Sequence, residues 1–156
     1  MRKRINLVSI VTLVLSLLII SCDKKPTESD LTPLTAVFLS YPAESNISSV
    51  TLRTVNGTYA AGAVRIRNTG SIGICFNNHR IEDIPAGSSD SVRLIPSRIV
   101  EVGETTTVEL SIDDLQSVPS GSYIASLVLK GYQYSNGVEF LNNTITKTLQ
   151  VRFEKP

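Results

Sequence analysis

The side chains that could do chemistry in this sequence are few, and one short segment holds most of them. Cys75 and His79 lie four residues apart, and Glu82 and Asp83 follow closely. A thiol beside a histidine is the basis of cysteine hydrolases, because the imidazole lowers the thiol pKa or removes its proton. Nothing nearby supplies the third group that would orient the imidazole. The favoured interpretation is that Cys75, between two large apolar residues, is a buried residue of a strand.

The same segment contains residue types that ligate metal ions, namely His79, Glu82 and Asp83. One histidine and two carboxylates in a predicted loop are a weak signal, because solvated loops often have this composition, so neither metal ligands nor a cofactor are predicted. The sequence has no Gly-rich phosphate loop, no Gly-x-Ser-x-Gly elbow and no His-Glu-x-x-His motif. Its 156 residues include one histidine, two cysteines and no tryptophan. The expectation is therefore that the protein is not an enzyme.

Two tyrosines form the best candidate for a contact surface. Tyr132 and Tyr134 lie in the segment 131–137, which the Asn136-Gly137 pair marks as a hairpin tip. Aromatic side chains in such a tip can stack on sugars or fill a pocket of a partner protein. The alternative is that both rings pack on the stem of their own hairpin. Because loops on rigid scaffolds usually carry binding, Tyr132 and Tyr134 are the predicted contact surface.

The elements that position these residues are β-strands, because apolar and polar residues alternate from about residue 35 onward. Val108, Leu110 and Ile112, for example, alternate with polar neighbours, which puts one face on a core and one in water. The predicted strands span residues 35–41, 49–55, 59–68, 72–77, 91–95, 97–102, 105–112, 122–131 and 138–153. The last strand could be divided around Asn142-Asn143. Lys147 falls on its apolar register, which indicates a bulge, a sheet edge or an inward charge that opposes edge-to-edge pairing.

The number of strands and the regular spacing of turns predict an all-β fold, an antiparallel β-sandwich of about seven to nine strands over residues 35–154. A small closed barrel is the alternative. The segment Gly121-Ser122-Tyr123 resembles the tyrosine corner of immunoglobulin-like (Ig-like) and fibronectin-III-like domains. The resemblance implies that the Tyr123 hydroxyl bonds back to the preceding corner. The Cys-Trp-Cys core of antibody domains is absent, which implies a disulfide-free bacterial branch of the fold.

The first residues of the chain have the pattern of an export signal. Three cationic residues, 2–4, precede an uncharged apolar stretch over residues 5–20. That stretch would span roughly 24 Å as a helix, less than the roughly 30 Å of a bilayer core. The sequence Ile19-Ile20-Ser21-Cys22 resembles the lipobox of bacterial lipoproteins. The resemblance implies that residues 1–21 are a cleaved signal peptide and that Cys22 is acylated and anchors the protein to membrane lipid.

The residues after the cysteine bear on location and partners. Residues 22–34 contain the lipidated cysteine and a polar, proline-containing segment typical of a flexible tether. Asp23-Lys24-Lys25 is similar to the charged start of some outer-membrane and surface lipoproteins, so the outer membrane is favoured, with the inner membrane as the alternative. The folded part is expected in the periplasm or on the cell surface. Processing leaves 12 basic and 14 acidic residues, a formal charge of −2, and nucleic acid is not an expected partner.

These features together predict a lipid-anchored protein of a bacterial cell envelope. Its single Ig-like module would serve a binding, adhesive or structural role toward a protein or a glycan. The alternatives are a carbohydrate-binding accessory module, or a small Cys/His-based enzyme or metal-handling protein. Asp90-Ser91-Val92 also resembles a short motif that some bacteria O-glycosylate after export.

Overall fold

The computed structural model describes residues 31–156. The predicted signal peptide, Cys22 and most of the predicted tether therefore lie outside the described residues. Thr32–Pro156 forms one compact unit, and strands make up nearly all of its regular structure. Among residues 31–156, no helix is both long enough and apolar enough to cross a bilayer.

Ten strands and one turn of 3-10 helix, Leu115–Ser117, are present in the described residues. The strands are β1 (Ala36–Leu39), β2 (Ser49–Thr51), β3 (Arg53–Val55), β4 (Tyr59–Asn68), β5 (Gly73–Glu82), β6 (Ser89–Ile95), β7 (Ile99–Val100), β8 (Thr105–Asp113), β9 (Gly121–Ser135) and β10 (Val138–Lys155). Every predicted strand has a counterpart. The predicted strand 49–55 is divided in two at Leu52, whose side chain is buried.

The strands form two sheets that pack face to face, which confirms the predicted β-sandwich. Sheet A has the order β1-β4-β8-β6, with β3 also paired to β4, and sheet B has the order β2-β10-β9-β5-β7. This is the strand order of an Ig fold, in which β4, β8 and β6 lie in one sheet and β5, β9 and β10 in the other. One pair, β2 with β10, is parallel. Sheet B is therefore mixed, whereas a purely antiparallel sandwich was expected.

The core lies between the sheets and follows the predicted alternation. Val108, Leu110 and Ile112 are buried, whereas Glu109 between them is exposed. Gly131 of β9 also faces inward, because a Cβ there would lie 2.7 Å from Ile74 Cγ2. A larger residue at position 131 would thus collide with the neighbouring strand. Burial of one face of each sheet is what holds the two sheets together.

The tyrosine corner predicted from Gly121-Ser122-Tyr123 is present. The Tyr123 hydroxyl donates a hydrogen bond of 2.7 Å to the carbonyl oxygen of Pro119. The Tyr123 ring stacks on Phe153 of β10, with ring centroids 5.2 Å apart. Ala125, buried two residues later, occupies the position at which antibody domains have their second cysteine.

Two strands of sheet B depart from the prediction through bulges. β5 continues to Glu82, beyond the predicted end at residue 77, and its pairing with β9 shifts by one residue at Asn77. β10 is one strand of 18 residues with an irregularity between Phe140 and Thr144. The predicted division around Asn142-Asn143 is thus a bulge within a continuous strand. A bulge changes which residues face the core, so both affect the outer face of sheet B.

Lys147 lies at an edge of sheet B, one of the three situations that its register indicated. It is half-buried opposite Leu129 of β9. On the other side of β10, the described β2 covers only Gln150–Arg152. A charge on an open strand edge opposes pairing with a second sheet.

The tyrosine corner generates a stability prediction. Replacement Tyr123→Phe should lower the free energy of unfolding of the compact unit Thr32–Pro156 by about 1 kcal/mol, because it removes one hydrogen bond and keeps the ring. Chemical denaturation would measure the change, with Tyr59→Phe on β4 as the control. Equal stabilities of the Tyr123→Phe and Tyr59→Phe variants would contradict the role of the corner.

Candidate functional site

The two tyrosines of the predicted contact surface lie on β9 and not in the tip of the hairpin. The tip is only two residues long, because Asn136 and Gly137 both have positive φ angles, 51° and 82°, and close Ser135 directly onto Val138. Such a turn keeps both strands paired up to the last residue. Tyr132 and Tyr134 are therefore half-buried side chains on the outer face of sheet B.

Cross-strand pairing places Glu139 of β10 directly opposite Tyr134. The Glu139 carboxylate accepts hydrogen bonds from Asn77 Nδ2 at 2.7 Å and from Cys75 Sγ at 3.2 Å. Arg98 Nη2 lies 4.0 Å from the same carboxylate. Three groups from β5 and the segment before β7 thus hold the carboxylate of a β10 residue, so the Glu139 side chain reaches across β9 to β5.

A second carboxylate lies over β5 as well. Gly73 of β5 pairs with Tyr134, so both residues direct their Cβ positions to the same face of the sheet. A Cβ on Gly73 would lie 2.7 Å from Glu101 Oε2. Glu101 therefore covers Gly73, and both carboxylates lie on the β5 side of Tyr134.

Tyr132 has a cation on its ring. Lys130 Nζ lies 5.6 Å from the ring centroid, a distance at which the ring attracts an ammonium group. Both residues point outward from β9, two positions apart. Tyr132 also pairs with Cys75 of β5, and Cys75 is fully buried although it lies on the outer face. The neighbouring side chains thus cover the thiol from the solvent side.

The environment of Cys75 makes its thiol a poor nucleophile. Burial, with the hydrogen bond to Glu139 and the charge of Glu139, raises its pKa from an ordinary value of 9.0 to about 11, while Arg98 lowers it slightly. A nucleophilic cysteine needs the opposite shift. The favoured interpretation of Cys75 as a buried residue of a strand agrees with this environment, although the residue lies outside the main core.

The structure does not bring Cys75, His79 and Glu82 together. His79 pairs with the core residue Leu129 and faces inward, whereas Cys75 faces outward, because the bulge at Asn77 reverses the alternation. Glu82 is about 20 Å from Cys75 along the strand. The predicted loop around His79 is wrong, since His79 and Glu82 are residues of β5. Within residues 31–156, no three His, Cys, Asp or Glu side chains form a cluster that could hold a metal ion.

The Asp90-Ser91-Val92 segment lies on β6 at the edge of sheet A. Asp90 Oδ2 accepts a hydrogen bond of 2.8 Å from the backbone N–H of Ile81, and Ser91 is exposed. The aspartate thus connects the two sheets. Glycosylation of Ser91 stays a prediction.

Sequence reasoning missed the polar partners of the two tyrosines. The position of Glu139 was available from the sequence, because a two-residue Asn-Gly turn aligns the residues that flank it symmetrically. Arg98 and Glu101 gave no such signal. They flank the short strand β7, which brings them to this face because it pairs with β5, a strand distant from it in the sequence.

Comparison with known proteins gives fold similarity alone. No protein-family model matches the chain, and no curated protein matches its sequence. Among solved structures, it is similar to the VesB protease of Vibrio cholerae, with a TM-score of 0.49 and 13% identity over 78% of this chain and 31% of VesB. It is also similar to the N-terminal domain of PorA, with a TM-score of 0.45 and 13% identity over 77% of this chain and 96% of that domain. A family 123 glycoside hydrolase from Clostridium perfringens gives a TM-score of 0.42 and 12% identity over 79% and 27% of the two chains.

The chain spans about a third of the length of VesB. At these identities and TM-scores, the similarity carries no information about activity or ligand.

The environment of Cys75 predicts slow alkylation. With a pKa of about 11, only about one thiol in a thousand is ionised at pH 8. Iodoacetamide should leave Cys75 unmodified in the native chain over an hour and modify it fully in guanidinium chloride, as read by mass spectrometry. The variant Glu139→Gln, which removes the negative charge, should react faster. Rapid alkylation of the native wild-type chain would contradict the environment described for Cys75.

The same pKa predicts a pH dependence of stability. The Cys75 thiol ionises near pH 11 in the folded chain and near pH 9.0 in the unfolded chain. As the pH rises, the thiol of the unfolded chain therefore loses its proton at a lower pH than the thiol of the folded chain. This contribution to stability is complete below pH 9 and is lost as the pH rises toward 11. The free energy of unfolding of the wild type should thus fall more steeply over this range than that of Cys75→Ala. Parallel curves would contradict the raised pKa.

Proposed function

We propose that the protein is a lipid-anchored protein of a bacterial cell envelope whose Ig-like module binds or supports a partner. The observation that carries the anchoring is the sequence Ile19-Ile20-Ser21-Cys22 after a charged and then apolar start. The observation that carries the binding role is the outer face of sheet B, where Tyr132 and Tyr134 lie beside an oriented carboxylate. The outer membrane is the favoured location.

Acylation of Cys22 would provide the anchor. Each buried methylene of an acyl chain contributes about 0.8 kcal/mol, and one chain alone holds a protein only reversibly. Two or three chains on one residue would make the attachment effectively permanent. The partner of the protein at this end is therefore membrane lipid.

A binding role agrees with the chemistry of the described residues better than catalysis does. The thiol of Cys75 is buried and protonated, and His79 faces the core. Cationic side chains on the surface form ion pairs with neighbouring carboxylates, as Arg65 and Arg67 do with Glu44. Such pairing is unfavourable for a nucleic-acid surface, which needs free cations for phosphates. A protein or a glycan is the expected partner.

Lipid attachment can be tested in bacterial cells that express the full chain. Mass spectrometry should find the mature protein beginning at Cys22 with diacylglycerol and acyl mass added, and fractionation should find it in the membrane pellet. The variant Cys22→Ser should lose the added mass and leave the pellet. Ser21→Ala, which keeps a small residue before the cysteine, is the matched control and should behave as the wild type. An unmodified Cys22 in a soluble wild-type protein would overturn the anchoring.

A further inference from the structure

We propose that the outer face of sheet B around Tyr132 and Tyr134 is a binding site for a neutral saccharide. The site, called here the tyrosine face, consists of Tyr132, Tyr134, Glu139, Glu101 and Asn77. The inference deepens the binding role proposed above and rests on it.

The two rings provide the apolar part of the site. Tyr132 and Tyr134 are two positions apart on one strand, so their Cβ atoms are about 7 Å apart on the same face. Sugar rings have apolar C–H faces that pack on aromatic rings, while their hydroxyls need polar partners. Because Lys130 lies over the Tyr132 ring, the Tyr134 ring is the stacking platform and Tyr132 borders it. A platform on a rigid central strand binds without a costly rearrangement.

The carboxylates provide the polar part. The Glu139 carboxylate is held in place by Asn77 and Cys75, at 2.7 and 3.2 Å. A carboxylate has about four lone-pair sites, so acceptor capacity remains for hydroxyl donors. Glu101 offers a second carboxylate, over Gly73 on the same side of Tyr134. An aromatic ring with two acceptors on one side suits a ligand that has an apolar face and hydroxyls at its edge.

The charges of the region favour a neutral ligand. The two carboxylates, Glu101 and Glu139, are balanced by Arg98, 4.0 Å from Glu139, and by Lys130. Lys130 already occupies the position over the Tyr132 ring that a cationic ligand would take. An acidic or a basic peptide would find an equal number of repelling groups. A polyhydroxyl ligand without charge meets no such penalty.

The surface next to the tyrosine face would accept a chain longer than one sugar. Thr144 of β10 pairs with Tyr132, and Thr146 and Asn78 flank Lys130 on either side. Thr144, Thr146 and Asn78 are all exposed. Their hydroxyl and amide groups extend the hydrogen-bonding surface along the sheet.

Affinity electrophoresis of the full mature chain in mild detergent tests the proposal. The gels contain soluble starch, mannan, xylan, dextran or mixed-linkage β-glucan, and one contains anionic polygalacturonate. At least one neutral polysaccharide should retard the protein, and polygalacturonate should not. Tyr134→Ala should weaken the retardation about tenfold in apparent Kd. Tyr59→Ala, which removes an exposed tyrosine of β4, is the matched control and should bind as the wild type.

A second variant distinguishes a loss of binding from a loss of the fold. Glu139→Gln keeps the size of the side chain and should also raise the apparent Kd, with the far-ultraviolet circular dichroism of the wild type. Absence of retardation in all five neutral gels, retardation by polygalacturonate instead, or equal loss in Tyr59→Ala would overturn the proposal. Lipid on Cys22 is measured by mass spectrometry on the same preparation. Failure to bind sugar with the lipid present would overturn the tyrosine face alone, and binding without lipid would overturn the anchoring alone.

Discussion

The register of the hairpin formed by β9 and β10 is the constraint on which the rest of sheet B depends. The turn Asn136-Gly137 closes Ser135 against Val138 and thereby sets the partner of each residue as far as the bulge. A shift of one residue would move every side chain of β10 to the other face. Beyond the bulge, the buried residues Leu149 and Val151 hold the register through the core. One turn and one apolar face thus decide which side chains meet the solvent.

The bulges in β5 and β10 explain why polar chemistry collects at one end of this sheet. At Asn77 the alternation of β5 reverses, so Cys75 faces outward and His79 faces inward. The irregularity after Phe140 lets Asn143 reach Gln133 of β9 and the carbonyl oxygen of Thr32, both at 2.8 Å. Bulges commonly redirect side chains next to binding sites. Here they leave a carboxylate, an amide and two phenol rings on one rigid surface.

Much of this fold is predictable from the sequence, because two sheets with one buried face produce strict alternation. The strand 59–68 has the predicted bounds, and the bond of Tyr123 to Pro119 follows from a local motif. The second half of β5 escaped prediction because its polar residues, Asn77 to Arg80, lack the apolar pattern of a strand. Inserting one residue in a strand leaves no mark in composition, yet it separates Cys75 from His79. The neighbours of Tyr134 depend on β7 and β10, and pairing between distant strands is the part that local pattern does not encode.

The outer face of sheet B presents Tyr132, Tyr134 and Glu139 together, and nuclear Overhauser effects (NOEs) in the folded unit Thr32–Pro156 test this arrangement most directly. Opposed residues on one face have Cβ atoms about 5 Å apart. The ring protons of Tyr134 should therefore show NOEs to the side chain of Glu139, and those of Tyr132 to the β protons of Cys75. NOEs from either ring to the core residues Leu149 or Val151 would show that the face is inverted and would contradict this arrangement.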